Sequence, residues 1–314
     1  MPAHISCEGA QTSGHFAGSK KLHLLMKSGP IFGDSNKQEK MGFNPDHFTK
    51  YSKWIVTEIE TGFIHLQYNN PKTLNAYAER DWRDYLEILT ALENDPDTNV
   101  ILISSAVPKA FSSGLNLTES MELLGNKSDW SLEARQKFLH RHIIEFQEAI
   151  AYPTRMKTPT IALLNGVSYG LALDIASACS IRVAVEGTRF SVREIKIGLV
   201  ADMGSLQRMT NLVNNKSKMY QLALTGEVFS PQDALDLGFV SKVVPDLKSG
   251  VEYCTELGLD INSNIQWAIK GTKASIQQIV DGGHHEQGLE DVAVFNAINL
   301  AGGPVTLEYG KAKL

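Results

Sequence analysis

The sequence predicts an α/β fold, and three observations carry that reading. Short apolar runs rich in β-branched residues recur at 100–105, 160–164 and 181–185, with the unbroken hydrophobicity of strands buried on both faces. Longer stretches with apolar residues at helical spacing lie between them. No internal repeat divides the chain, so the alternation reads as one α/β domain whose last part is helical.

Element by element, residues 1–50 are rich in Gly, Ser, Lys, Asn and His without sustained periodicity and read as an extension. Trp54 to Ile59 and Phe63 to Tyr68 alternate as strands around Glu60-Thr61-Gly62, a hairpin signal. From Asn75 to Leu92, with Leu74, Tyr77, Trp82, Tyr85, Leu86, Leu89 and Leu92, the spacing predicts a helix that Asp95-Pro96-Asp97 closes. The buried strand 100–105 follows, then a Ser, Gly and Asn loop over 111–130 and a helix over 131–151.

Pro153 and Pro159 precede the next buried strand, 160–164, and a turn at 165–168 leads into a helix of small residues from Gly170 to Cys179. Strands are predicted at 181–185, 189–192 and 239–244, and helices at 203–212, 216–224 and 231–237, the last with Ser230 as cap and Pro231 at the first helical position. The tail from Ser249 to about Leu300 suggests three helices.

Composition bounds the function. The 314 residues are 43% hydrophobic, 21% charged and 8% aromatic, which is ordinary for a globular protein. Thirty Lys and Arg against 35 Asp and Glu give a net charge of −5. No basic run exceeds a pair such as Lys20-Lys21, which argues against nucleic-acid or membrane-surface binding. Cys7, Cys179 and Cys254 are an odd number without metal spacing, and the nine His show none either, so no metal is expected. The most apolar stretch, 160–178, is broken by Asn165, Gly166, Ser168, Gly170 and Asp174 and fails as a membrane span. With no apolar secretory core at the N-terminus, a soluble intracellular protein is expected.

Three constellations could carry chemistry. After the strand at 100–105, Phe111-Ser112-Ser113-Gly114-Leu115-Asn116-Leu117 has a glycine at which the backbone can turn and present free amides to an oxyanion. An ordinary connecting loop would look the same. After the strand at 160–164, the run Gly166 to Asp174 offers a helix start with unpaired amides, and Asp174 sits among apolar and small residues. A carboxylate there must find partners or hold its proton, unless it only favours the helix dipole. The third run, Val192 to Gly204, has Glu194 and Asp202 separated by Gly198, so that a turn could aim both acids into one cavity. Asp202 could equally cap the next helix, and Glu194 could pair with Arg193 or Lys196.

A competing reading is a serine hydrolase. Gly166-Val167-Ser168-Tyr169-Gly170 matches G-x-S-x-G between a strand and a helix, with acids and then His284 or His285 downstream. The match is short, and no His-Gly-Gly motif precedes it. Neither a G-x-G-x-x-G nor a Gly-Lys-Ser/Thr phosphate loop is present.

From Trp54 to Pro245 the chain resembles the crotonase family, also called the enoyl-CoA hydratase/isomerase family. Four stretches carry the resemblance: Asn69 to Ala76, Ala110 to Leu117, Pro159 to Asp174, and Thr225 to Val244. Within the family it is most similar to the Δ3,5-Δ2,4-dienoyl-CoA isomerases, through Asp174 with Ser177-Ala178-Cys179, then Glu194, then Asp202 in Ala201-Asp202-Met203-Gly204-Ser205-Leu206-Gln207-Arg208. Family hydratases have glutamates matching Asp174 and Glu194 and no acid matching Asp202. Two departures stand out, Asn116 where many members have Asp and Leu171-Ala172 in place of a glycine pair.

The resemblance implies a crotonase-like spiral of β-β-α units with a helical C-terminal trimerisation region. It divides the chain into an extension (1–50), a catalytic core (51–248), a helical region (249–311) and the peroxisomal-type tripeptide Ala312-Lys313-Leu314 (312–314). By position it assigns the oxyanion amides to Leu115 and Leu171, with Ser113, Gly114, Asn116 and Gly170 in the substrate-binding turns and Lys72 near the coenzyme A phosphates. It implies isomerisation of a 3,5-dienoyl-CoA to the 2,4-dienoyl-CoA, with Asp202 as base at C2, Glu194 as donor at C6 and Asp174 as electrostatic assistant. A 2-enoyl-CoA hydratase, a Δ3-Δ2-enoyl-CoA isomerase and a non-catalytic assembly partner are the other readings. The only cofactor expected is the coenzyme A of the substrate itself. Expected partners are an acyl-CoA, copies of the chain as trimer or hexamer, and the peroxisomal import receptor, without nucleic acid or membrane. The expected location is the peroxisome, or else the mitochondrion.

Overall fold

In the computed structural model, residues 43–302 other than 126 and 128 are described. They fall into two compact units, one within Lys40–Val292 and one of which residues 293–302 are described. Of the predicted extension over 1–50, residues 1–42 lie outside the described residues, as does the tripeptide Ala312-Lys313-Leu314.

Within the larger unit two sheets share the strands. The six-stranded sheet runs β1 (Trp54–Glu60), β2 (Phe63–Tyr68), β3 (Val100–Ser105), β5 (Thr160–Leu164), β7 (Ile181–Val185), β9 (Lys242–Val244). Only the β1–β2 hairpin is antiparallel. The second sheet is parallel and small: β4 (Ala110–Ser112), β6 (Val167–Tyr169), β8 (Arg189–Ser191). From β3 to β9 the chain alternates between the sheets, so each passage lays one strand in each before a helical segment returns it. That is the β-β-α spiral.

The helices are α1 (Glu79–Asn94), α2 (Leu117–Gly125), α3 (Leu132–Ile150), α4 (Tyr152–Arg155), α5 (Leu171–Ala178), α6 (Ser205–Leu212), α7 (Lys216–Thr225), α8 (Pro231–Asp236), α9 (Leu247–Asn262), α10 (Gln266–Val280) and α11 (His285–Ala301). The large sheet is buried on both faces, which explains its unbroken apolar runs. On one face Ile64, Leu66, Ile101, Ile103 and Leu164 join Trp82, Tyr85, Ile88 and Leu89 of α1. On the other, Phe63, Val100, Leu102, Ile161 and Leu163 cluster with Cys254 of α9. A Cβ at Gly258 of α9 would sit 2.1 Å from the Phe63 ring. Helix α9 therefore belongs to the core rather than to a tail.

The structure departs from the sequence reading locally. Strands β4 and β6, three residues each, are too short for a periodicity to show and were expected as loop and turn. Helix α1 starts at Glu79 rather than Asn75, because Leu74 (φ 53°) and Asn75 (φ 59°) take left-handed backbone that no helix contains. Helix α2 occupies part of the expected 111–130 loop. Packing begins ahead of Trp54, at the 3-10 turn Pro45–Phe48, with Phe48 and Tyr51 buried.

Candidate active site

Strands β4 and β6 run parallel and end in turns that contain glycine. Gly114 has φ +105° and Gly170 φ +55°, conformations that an L side chain rarely adopts. The residues that follow are Leu115 and Leu171, and among the described residues neither amide donates to a protein acceptor. Leu171 opens α5, where the first amides of a helix are free and the dipole is positive. The turns touch: a Cβ on Gly114 would lie 3.2 Å from the Tyr169 carbonyl oxygen and 3.9 Å from the Leu171 nitrogen. Two neighbouring unspent amides at the ends of parallel strands are what an oxyanion hole requires.

The Gly114 turn is braced from the other side by 73–77. The Ser113 amide donates to the Leu74 carbonyl (2.9 Å), Tyr77 to the Gly114 carbonyl (2.9 Å) and Asn116 to the Tyr77 carbonyl (2.8 Å). Ser113 Oγ donates to the Thr73 carbonyl (2.8 Å), and Ser112 Oγ to the Asn75 carbonyl (2.7 Å). Asn75, fully buried, donates to the Tyr68 and Phe111 carbonyls and to Ser105 Oγ. The strained Leu74-Asn75 backbone is held in place by these bonds, a pattern typical of functional turns. Asn116 Oδ1 accepts from the Glu119 amide at the start of α2 (3.4 Å), and Lys72 lies exposed on the adjoining 3-10 turn Pro71–Thr73.

Three acids gather beside the Gly170 turn. Asp174, on the wholly buried α5, accepts from the Ser205 amide at 2.5 Å. Burial pushes it up to about 6, against the pull of Ser205 and Arg208, and the Asp202 charge adds to the rise. Glu194 opens the 3-10 turn Glu194–Ile197, and its Oε1 stands 3.0 Å from where a Gly170 Cβ would be. Its Oε2 is buried without a hydrogen-bond partner among the described residues. Burial first, then the Asp174 and Asp202 charges, push Glu194 up to about 7. Asp202 is exposed in the single chain, yet the protein around its carboxyl still raises it above the usual carboxylate value. Gln147 of α3 holds its backbone carbonyl (2.6 Å).

The structure thus brings Asp174, Glu194 and Asp202 close enough to act on one another's charge, with Glu194 against the Gly170 turn. It overturns the hydrolase reading. Ser168 is fully buried inside β6, paired with Ser112 and Phe190, and among the described residues its Oγ donates one bond, to the Asn165 carbonyl at 3.5 Å. A nucleophile elbow needs the serine exposed on the strand-to-helix turn, which here is occupied by Gly170.

Sequence reasoning missed two residues of the site. Arg208 donates through Nη2 to the Asp174 (2.9 Å) and Met203 (2.7 Å) carbonyls and through Nε to Ser177 Oγ (3.0 Å). It ties the helix of Asp174 to the loop of Asp202. Asn75 was legible only as a helix start, since its left-handed backbone leaves no periodic signal.

The model of the enoyl-CoA hydratase/isomerase family matches residues 58–299. The chain is 31% identical to the human mitochondrial Δ(3,5)-Δ(2,4)-dienoyl-CoA isomerase, over 78% of this chain and 75% of that one. It is 34% identical to the peroxisomal Δ(3,5)-Δ(2,4)-dienoyl-CoA isomerase of Arabidopsis thaliana, over 78% and 88%. A mitochondrial enoyl-CoA hydratase of Pongo abelii is 30% identical over 67% of each chain. Among solved structures, an enoyl-CoA hydratase from Bacillus anthracis superposes with a TM-score of 0.70 at 21% identity, covering 79% of this chain and 91% of that one.

Proposed function

Because the chain belongs to the enoyl-CoA hydratase/isomerase family and is an enzyme of it, we propose that it converts 3,5-dienoyl-CoA to 2,4-dienoyl-CoA. The observation that carries this reading is the third acid. Two carboxylates beside an oxyanion hole suit addition of water or a short double-bond shift. An additional carboxylate at Asp202, facing the same cluster, gives a second proton-transfer group for a carbon further along the acyl chain.

The thioester oxygen sits at the Leu115 and Leu171 amides, and the C2–H bond is broken as electrons move into the C1–O unit. Each amide supplies roughly 3–4 kcal/mol to that charge in comparable sites. Geometry, taken ahead of pKa, favours one acid assignment. Glu194 lies against Gly170, one residue from the Leu171 amide, and so next to C2, which is bonded to the held carbonyl. On this reading, which reverses the one the resemblance implied, Glu194 takes the C2 proton and Asp202 delivers one to C6. The double bonds move from C3 and C5 to C2 and C4, and one proton must return from Glu194 to Asp202 before the next turnover. A pKa of about 7 keeps Glu194 near the operating pH. The acyl chain, on binding, removes water from the exposed Asp202 and raises it further.

Asp174 acts through Glu194, raising it electrostatically, and anchors the start of α6 through the Ser205 amide. The reaction uses no cofactor besides the coenzyme A of the substrate, for whose phosphates the exposed Lys72 is available. Trimeric or hexameric assembly and peroxisomal import through Ala312-Lys313-Leu314 complete the reading, and deletion of that tripeptide is expected to leave the enzyme in the cytosol. The test is a pair of absorbance assays: turnover of a 3,5-dienoyl-CoA far above hydration of a 2-enoyl-CoA supports the proposal, and the reverse order assigns a hydratase.

A further inference from the structure

A second cavity, of about 430 Å³, opens between α10 and the end of α5, the start of β7 and α6. It contains none of the three acids and neither amide turn, though Arg208 and Ser177 border both it and the acid cluster, and its volume falls in the usual range for small-molecule sites, about 300–1,000 Å³. Its walls are mainly apolar, with Leu212, Ile261, Ile269 and Ile276 among them. Its charged residues are all cations, Arg182, Arg208 and Lys273, and no carboxylate lines it.

The cations are held on carbonyl oxygens instead of acids. Lys273 Nζ donates to the Pro153, Met156 and Thr158 carbonyls, which uses all three of its protons. Arg182 donates through Nε to the Phe239 carbonyl and through Nη1 to that of Cys179. Arg208 spends Nε and Nη2 as described. Neither arginine makes an ion pair with a carboxylate among the described residues, and Nη2 of Arg182 and Nη1 of Arg208 have no protein acceptor there. Both arginines are half-buried, and a guanidinium set against an apolar wall without a carboxylate partner is suited to charge-assisted bonds with an anion.

We infer that this cavity is a binding site for an amphiphilic anion, a free medium-chain carboxylate whose tail fills the apolar walls while its head meets Arg182 and Arg208. The inference is independent of the isomerase reading, since it is tested by binding rather than turnover. The cavity also bears on the acid cluster, because Arg208 holds the Asp174 carbonyl. A carboxylate on Arg208 offsets part of the positive charge that now lowers Asp174.

The experiment is calorimetric titration of the full-length protein with octanoate, 1-octanol and inorganic phosphate, each with and without saturating octanoyl-CoA. Octanoate is expected to bind one per chain whether or not octanoyl-CoA is present, with octanol about tenfold weaker or worse for want of the charge-assisted bonds and phosphate not detected. Arg182→Gln should bring octanoate down to the level of octanol. Ala268→Trp, which fills the cavity from α10 without touching an arginine bond, should abolish both. No binding of octanoate to the assembled protein, equal binding of octanol, displacement by octanoyl-CoA, or full binding by Ala268→Trp would each overturn the assignment. Failure to bind because a second copy of the chain covers the cavity counts among these.

Discussion

The acid cluster beside the first turns of α5 and the cationic cavity at its far end are the same physical situation with opposite sign. Each gathers like charges in apolar surroundings with few counter-ions. The difference lies in how the strain can be relieved. Carboxylates can take up a proton, and Asp174 and Glu194 move to about 6 and about 7 accordingly. A guanidinium has no such escape within the range where proteins fold, so beyond their carbonyl bonds the free Nη groups of Arg182 and Arg208 are open to an anion from outside. Crowded acids suit proton transfer, and crowded arginines suit anion binding.

The comparison can be broken most forcefully at Asp202. Asp202→Asn keeps the size of the side chain and removes its proton chemistry, so isomerase turnover should fall about 100-fold or more while affinity for the CoA ester is retained. Gly170→Val comes next. At φ +55° a Cβ is strained, and it would stand 3.0 Å from Glu194 Oε1, disturbing an acid and an amide together; loss of one oxyanion donor costs about 100-fold or more in turnover in a related chemistry. A weaker variant, Gly170→Ala, should show the same loss in smaller measure by steady-state kinetics.

Glu194→Gln sharpens the comparison through stability. Glu194 is raised from 4.5 to about 7 in the folded chain, so the folded state holds this proton more tightly than the unfolded state. Its contribution to stability is therefore present below pH 4.5 and is lost as pH rises toward 7. Thermal melts at pH 8 should show Glu194→Gln melting above the parent, by roughly 2–4 °C for each kcal/mol relieved, even as its turnover is expected to be lost. The gain should vanish at pH 4. Smallest of all is Ser168→Ala: a buried hydroxyl with one long bond to Asn165 should leave turnover within about twofold by the same assay, with a stability cost of about 1 kcal/mol.

Much of this was legible in the sequence, for identifiable reasons. Strands β3, β5 and β7 are buried on both faces and announce themselves as apolar runs. The three acids stand out because Asp174 and Asp202 interrupt apolar sequence. What was hidden is structure without periodicity: the three-residue strands β4 and β6, and the left-handed pair Leu74-Asn75 that braces the Gly114 turn. Arg208 was hidden for another reason. Its partners are backbone carbonyls of Asp174 and Met203, and no side-chain pattern reports a bond to a carbonyl. The competing Gly-x-Ser-x-Gly match has another origin, because its glycines serve the close approach of strands and the Leu171 turn rather than the serine between them.

The division of labour between the two acids can be measured directly by following substrate hydrogens in deuterated water. If Glu194 takes the C2 proton and Asp202 supplies C6, then Asp202→Asn should still exchange the C2 hydrogens of a 3,5-dienoyl-CoA for deuterium while forming almost no 2,4-dienoyl product, and Glu194→Gln should do neither. Exchange at C2 that persists in Glu194→Gln and disappears in Asp202→Asn would contradict this assignment.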